Sequence, residues 1–151
     1  MTPPKSEPPL APNAPTPPLP AGPAGPRPGR NLRVAILDDD PSVRTAISRL
    51  VGASGMVGGS FSNAMELLNA LPMFAPDCII LDLYMPGLDG LEVLNYLRKT
   101  NLAAPVIMIT AQDDPSLRDT CLKAGASAFL RKPLQATELL ATIAEAAQPR
   151  H

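Results

Sequence analysis

The sequence predicts an α/β fold: a five-stranded parallel sheet of strand order 2-1-3-4-5 with helices on both faces, three layers built from five βα units. Three observations lead there. From Leu32 onward, short apolar runs alternate strictly with amphipathic stretches, five of each. The runs at 77–83 and 105–110 have no polar face, as expected of strands covered by helices on two sides. Residues 31–148 are enough for one core that buries roughly two-thirds of the unfolded surface.

The elements follow in order. "LRVAIL" (32–37) reads as the first strand, and "PSVRTAISRLVGAS" (41–54) as a helix with Val43, Ile47 and Leu50 on one face and Pro41 in its first turn. "MVGGSF" (56–61) is a weaker strand, because two glycines interrupt it. Helix "NAMELLNAL" (63–71) follows, with Ser62 as its expected N-cap. "DCIILDL" (77–83) is the strongest strand, and "LEVLNYLRK" (91–99) a helix with Leu91, Leu94 and Leu97 in phase. Strand "PVIMIT" (105–110) precedes helix "PSLRDTCLKAG" (115–125), which Gly125 should stop. "SAFLRK" (127–132) and "ATELLATIAEAA" (136–147) supply the last strand and helix. Right-handed crossovers then give the flavodoxin-like order.

The first thirty residues stand apart. They hold 12 of the 20 prolines, no aromatic residue and no β-branched aliphatic, so they are expected to form a disordered or polyproline-II tail. Pro-x-x-Pro spacings such as Pro17 to Pro20 fit an aromatic groove on a partner, although a linker is the simpler reading. The tail lacks the apolar centre of a secretory signal. Residues 149–151 are expected to form a short C-terminal tail with no output domain, in a chain that is either complete or a fragment of a longer protein. A net charge of −1 gives no nucleic-acid footprint, and the apolar runs are too short to span a membrane. Cys78 and Cys121 are expected to be buried thiols in a cytoplasmic protein.

"LDDD" (37–40) sets three carboxylates directly behind the first strand, a costly arrangement unless a cation neutralises them. In a sheet of this order, strands 1 and 3 flank the crevice where the strand order reverses. Asp38 and Asp39 end strand 1, and Asp82 ends strand 3. Thr110 and Lys132 end strands 4 and 5. Oxygen-only ligands favour a hard divalent cation, Mg²⁺ or Mn²⁺ in its place. A carboxylate beside it suits nucleophilic attack on phosphorus, giving an aspartyl phosphate that Lys132 and Thr110 hold by charge and hydrogen bond.

With "VAILDDDPSVR", "IILDLYMPGLDG", "VIMITAQ" and "KAGASAFLRKPL" in this order, the chain from Leu32 to about Ala147 resembles the receiver domain of two-component response regulators. The resemblance implies that Asp82 is the phosphoacceptor, and that Asp38, Asp39, Asp82 and the backbone carbonyl of Tyr84 hold Mg²⁺. It also implies that Lys132 and Thr110 contact the phosphoryl group, that Thr110 and Phe129 act as the switch, and that the Lys132–Pro133 peptide is cis. The implied donor is a sensor histidine kinase or a histidine phosphotransfer protein. The output is a changed protein-binding surface around helix 4, strand 5 and helix 5, read by a downstream protein or a second copy. The domain is then a phosphoacceptor and not an enzyme beyond slow self-dephosphorylation.

Tyr84 and Gln112 lie two residues beyond Asp82 and Thr110, and the Tyr84 ring is expected to cover the acyl phosphate. Asp40 and Asp89 read as helix-start residues, Cys121 as packing, and His151 as functionless. Two other readings remain. One is a receiver-like interaction module that is never phosphorylated. The other is a haloacid-dehalogenase-like phosphatase with Asp38 as nucleophile, which leaves Asp82 unexplained.

Overall fold

The computed structural model describes residues 31–148; the Pro-rich tail, including Pro17 to Pro20, and residues 149–151, including His151, lie outside them. The five principal strands are β1 (Arg33–Leu37), β2 (Val57–Phe61), β3 (Cys78–Asp82), β6 (Val106–Thr110) and β7 (Ala128–Arg131). They pair in parallel in the order β2-β1-β3-β6-β7. That is the expected 2-1-3-4-5 order, displaced in numbering by a short antiparallel ribbon, β4 (Tyr84–Met85) with β5 (Leu88–Asp89).

The helices are α1 (Pro41–Ala53), α2 (Ala64–Phe74), α3 (Gly90–Lys99), α4 (Pro115–Lys123) and α5 (Ala136–Ala146). Alternation along each strand divides the core between two faces. Ala35, Leu37, Ile79, Leu81, Val106 and Met108 pack with Leu67, Leu94, Leu97 and Cys121 from α2, α3 and α4. Val34, Ile36, Ile80, Ile107 and Ile109 pack with Ile47, Val51, Leu139 and Ile143 from α1 and α5. The three central strands are thus apolar in both directions because both faces are covered, and Cys78 and Cys121 are buried free thiols.

The two glycines of β2 have a packing reason. A Cβ on Gly58 would stand 2.9 Å from Val51 Cγ2, and one on Gly59 2.8 Å from the Phe74 ring. Each glycine lets a helix close down on the edge strand, from opposite faces. Phe74 also packs edge-on to Phe61 and under the Arg33 guanidinium.

Three local features depart from expectation. The N-cap of α2 is Asn63, not Ser62: Asn63 Oδ1 accepts from the Glu66 amide at 2.9 Å, while Ser62 donates N–H and Oγ–H to Glu66 Oε1. Helix α2 also runs through Pro72 to Phe74, beyond the expected end at Leu71, and stops at left-handed Ala75, whose amide donates to Leu71 O. The third is the ribbon β4–β5, turned by Pro86-Gly87 with Gly87 at φ +78°. Pro followed by a positive-φ Gly is the chemistry of a type II turn.

Candidate functional site

Strand ends supply the acidic groups. Beyond Leu37, the last residue of β1, Asp38 is fully buried and Asp39 exposed; Asp82, last in β3, is 4% exposed. Strands β1 and β3 are direct neighbours, so these groups meet: one carboxylate oxygen from each of Asp38, Asp39 and Asp82 lies within 4.8 Å of the others. From the far edge of the sheet Lys132 enters just after β7, its ammonium 2.9 Å from Asp38 Oδ2 and 3.4 Å from Asp82 Oδ2. The Lys132–Pro133 peptide is cis.

Each group is held locally. Asp38 Oδ1 accepts from the Asp40 amide at 2.9 Å, and Asp82 Oδ1 from the Tyr84 amide at 3.3 Å. Asp40 caps α1, accepting from Ser42 N–H and Oγ–H, and those bonds hold its carboxyl below the usual range. Asp89 caps α3 in a capping box with Glu92. The loop after Asp82 is pressed close: the Gly90 amide donates to Leu83 O at 2.7 Å, and a Cβ on Gly90 would fall 2.2 Å from Asp82 O. Only glycine fits there.

Thr110 is fully buried at the end of β6, one residue past Ile109, the β-partner of Asp82. Its Oγ1 accepts from the Gln112 amide at 3.0 Å, and its carbonyl accepts from the Lys132 amide at 2.7 Å. Phe129 is half-buried against the α2–α3–α4 core, and Tyr84 is 48% exposed.

Charge and burial oppose each other here. Burial pushes the Asp82 carboxyl up to about 6, Asp38 adds repulsion, and Lys132 and the Tyr84 amide hold it back. Burial pulls the Lys132 ammonium down, but its hydrogen bond to Asp38 and the charges of Asp82 and Asp38 raise it overall. One ammonium serves two of the acids: Asp38 Oδ2 has no solvent access, and its partner is Lys132, which also faces Asp82 Oδ2. Three converging carboxylates that share one ammonium, two of them buried, fit a hard divalent cation.

Residues 34–144 match the family model of the response regulator receiver domain. The chain belongs to that family. This receiver domain is 38% identical over 111 residues to the response regulator MprA of Mycobacterium ulcerans, a match covering 74% of the chain and 48% of that protein. The chain thus spans about half the length of the curated relatives it matches. A receiver protein from Burkholderia phymatum has a similar structure, at 40% identity and TM-score 0.68 over 80% of this chain and all of that one. The Francisella response regulator 1452 receiver domain is 31% identical, with TM-score 0.71 over 75% of this chain and 93% of that one.

Among the described residues, no helix is long and apolar enough to cross a membrane. One participant escaped sequence reasoning. Arg44 Nη1 donates to the Asp38 carbonyl at 2.6 Å, a contact that its place six residues along, inside a helix, did not announce.

Proposed function

We propose that this receiver domain accepts a phosphoryl group on Asp82 from a phosphohistidine on a sensor kinase or histidine phosphotransfer protein, and signals through a changed protein-binding surface. The observation that carries it is the convergence of Asp38, Asp39 and Asp82 beside Lys132 at the switch point of the sheet. Asp38, Asp39, Asp82 and the Tyr84 carbonyl would hold Mg²⁺, or Mn²⁺ in its place. When bound, the cation supplies charge neutralisation for the acids and the incoming phosphoryl oxygens.

In the transfer, a carboxylate oxygen of Asp82 attacks phosphorus, the P–N bond breaks, and the imidazole leaves with the electron pair and takes up a proton. Burial raises the Asp82 pKa only to about 6, so the nucleophile is mostly ionised at pH 7. Lys132 then shares its ammonium with a phosphoryl oxygen, and the Thr110 hydroxyl, which accepts from Gln112, still has its own hydrogen to donate. Inward movement of Thr110 and Phe129 would remodel the face of α4, β7 and α5, read by a downstream protein or a second phosphorylated copy. The reading places the protein in the bacterial cytoplasm, with no nucleic acid or membrane as its direct partner. Its only catalysis would be slow self-dephosphorylation. The exposed Tyr84 ring would shield the acyl phosphate from water, and Tyr84→Ala should shorten its lifetime; an unchanged lifetime refutes that role.

The deciding experiment is intact mass after incubation with a small acyl-phosphate donor, with and without Mg²⁺, beside Asp82→Asn. One added phosphoryl group that requires both Mg²⁺ and Asp82 is the expected result. No adduct on a folded, Mg²⁺-bound domain would favour the interaction module. Donor turnover that depends on Asp38 and ignores Asp82 would favour the phosphatase.

A further inference from the structure

We propose that Arg44 is a positioning residue for the cation site: its guanidinium fixes the main chain of Asp38, so that Asp38 and Asp39 present their carboxylates together. The inference rests on the cation reading given above.

Strand restraint fades where the acids begin. Leu37 is the last residue of β1 in the ladder, and the next amide, that of Asp38, reaches Phe61 O only at 3.4 Å. Arg44 takes over at that point. Its Nη1 donates to the Asp38 carbonyl at 2.6 Å, and its own backbone amide donates to the Asp40 carbonyl at 3.1 Å. One residue in the first turn of α1 therefore braces both ends of the tripeptide Asp38-Asp39-Asp40.

Asp39 depends most on that brace. Asp38 is fixed by the Asp40 amide on Oδ1 and by Lys132 on Oδ2, and Asp40 by the helix cap. The Asp39 side chain is exposed and makes no hydrogen bond or ion pair to another described residue. Its position is inherited from its two neighbours. A hydrogen bond from a charged donor to a backbone carbonyl is among the stronger restraints available to such a loop.

The sign of one measurement separates this role from simple electrostatics. Arg44 is a permanent cation near the acidic cluster, so removing its charge alone should tighten Mg²⁺ binding. Removing a brace that orients the ligands should weaken it, by an amount like that of other groups that orient metal ligands.

The test is isothermal titration of the full chain with Mg²⁺, well below its melting temperature, for wild type, Arg44→Met, Arg44→Lys and Asp39→Asn. Arg44→Met is expected to bind about 10-fold more weakly, the low end for groups that orient metal ligands, with Arg44→Lys between it and wild type. Equal or tighter binding by Arg44→Met overturns the inference. If Arg44→Met does not fold, Arg44→Lys and Arg44→Gln carry the comparison: weaker binding in both supports the brace, and wild-type or tighter binding in either overturns it. The controls separate the two levels. Absence of saturable binding by the wild-type chain, or full binding by Asp39→Asn, overturns the site reading and this inference with it. Normal wild-type binding with an indifferent Arg44 overturns the inference alone.

Discussion

Asp82 is buried and yet, on our reading, must be anionic, and that conflict has measurable consequences. Its pKa is raised to about 6, first by burial and then by Asp38, so between about pH 4 and 6 the folded state binds more protons than the unfolded. The stability of the metal-free domain should fall as pH rises through that window, and the loss is complete above about 6. Asp82→Asn should therefore raise metal-free stability at pH 7 by on the order of 1–2 kcal/mol after screening, about 5 °C in melting temperature. Mg²⁺ competes with the same proton, so its affinity should decline as pH drops below about 6, a trend that titration calorimetry follows directly. Lys132→Ala removes the cation paired with buried Asp38 and should cost about 3 kcal/mol without Mg²⁺. Added Mg²⁺ should recover more of that loss than it adds to wild type. These groups were legible because parallel strands deliver their C-terminal residues to one edge. Arg44 was not, since nothing in its spacing says that a helical side chain turns back to a carbonyl six residues earlier.

At the scale of elements, close approach governs. Gly90→Ala would push a methyl group into the Asp82 carbonyl, 2.2 Å away, and backbone cannot swing aside as a side chain can. A loss of about 2–4 kcal/mol is expected by chemical denaturation. Gly59→Ala meets the movable ring of Phe74 and should cost nearer 1 kcal/mol. Strands β1, β3 and β6 were legible because a run apolar on both faces has few other uses. The caps at Asp40 and Asp89 were legible from residue type and place. The start of α2 was not, because Ser62 and Asn63 are adjacent and both able to cap. The deciding signal was Glu66, three residues past Asn63, the spacing that puts a glutamate at N3. The end of α2 was not legible either: the helix runs past Leu71 through Pro72, and Phe74 at its end packs with Phe61 and Arg33. The ribbon β4–β5 is two residues per strand, too short for any periodicity to show.

At the scale of the molecule, the buried core of the described residues runs from Val34 to Ala147. A fragment of residues 31–148 should therefore melt within about 2 °C of the full chain and take up phosphoryl groups at the same rate. A large difference in either would give the Pro-rich segment a part in the fold or in the site. Because the face of α4, β7 and α5 is the expected output surface, hydrogen exchange there should change on phosphorylation and stay constant in Asp82→Asn.

The Asp38–Lys132 contact has a further consequence when the whole pocket is taken as one ionic group. With Asp82 ionised, three carboxylates and one ammonium leave a surplus of two negative charges. One divalent ion cancels that surplus, whereas a monovalent ion of the same size leaves half of it uncompensated beside the buried Asp38 and Asp82. On the proposed reading, discrimination between Mg²⁺ and the monovalent K⁺ and Na⁺ would follow from the valence of the pocket before ion size enters, and Lys132 would set it: without that ammonium the surplus would be three.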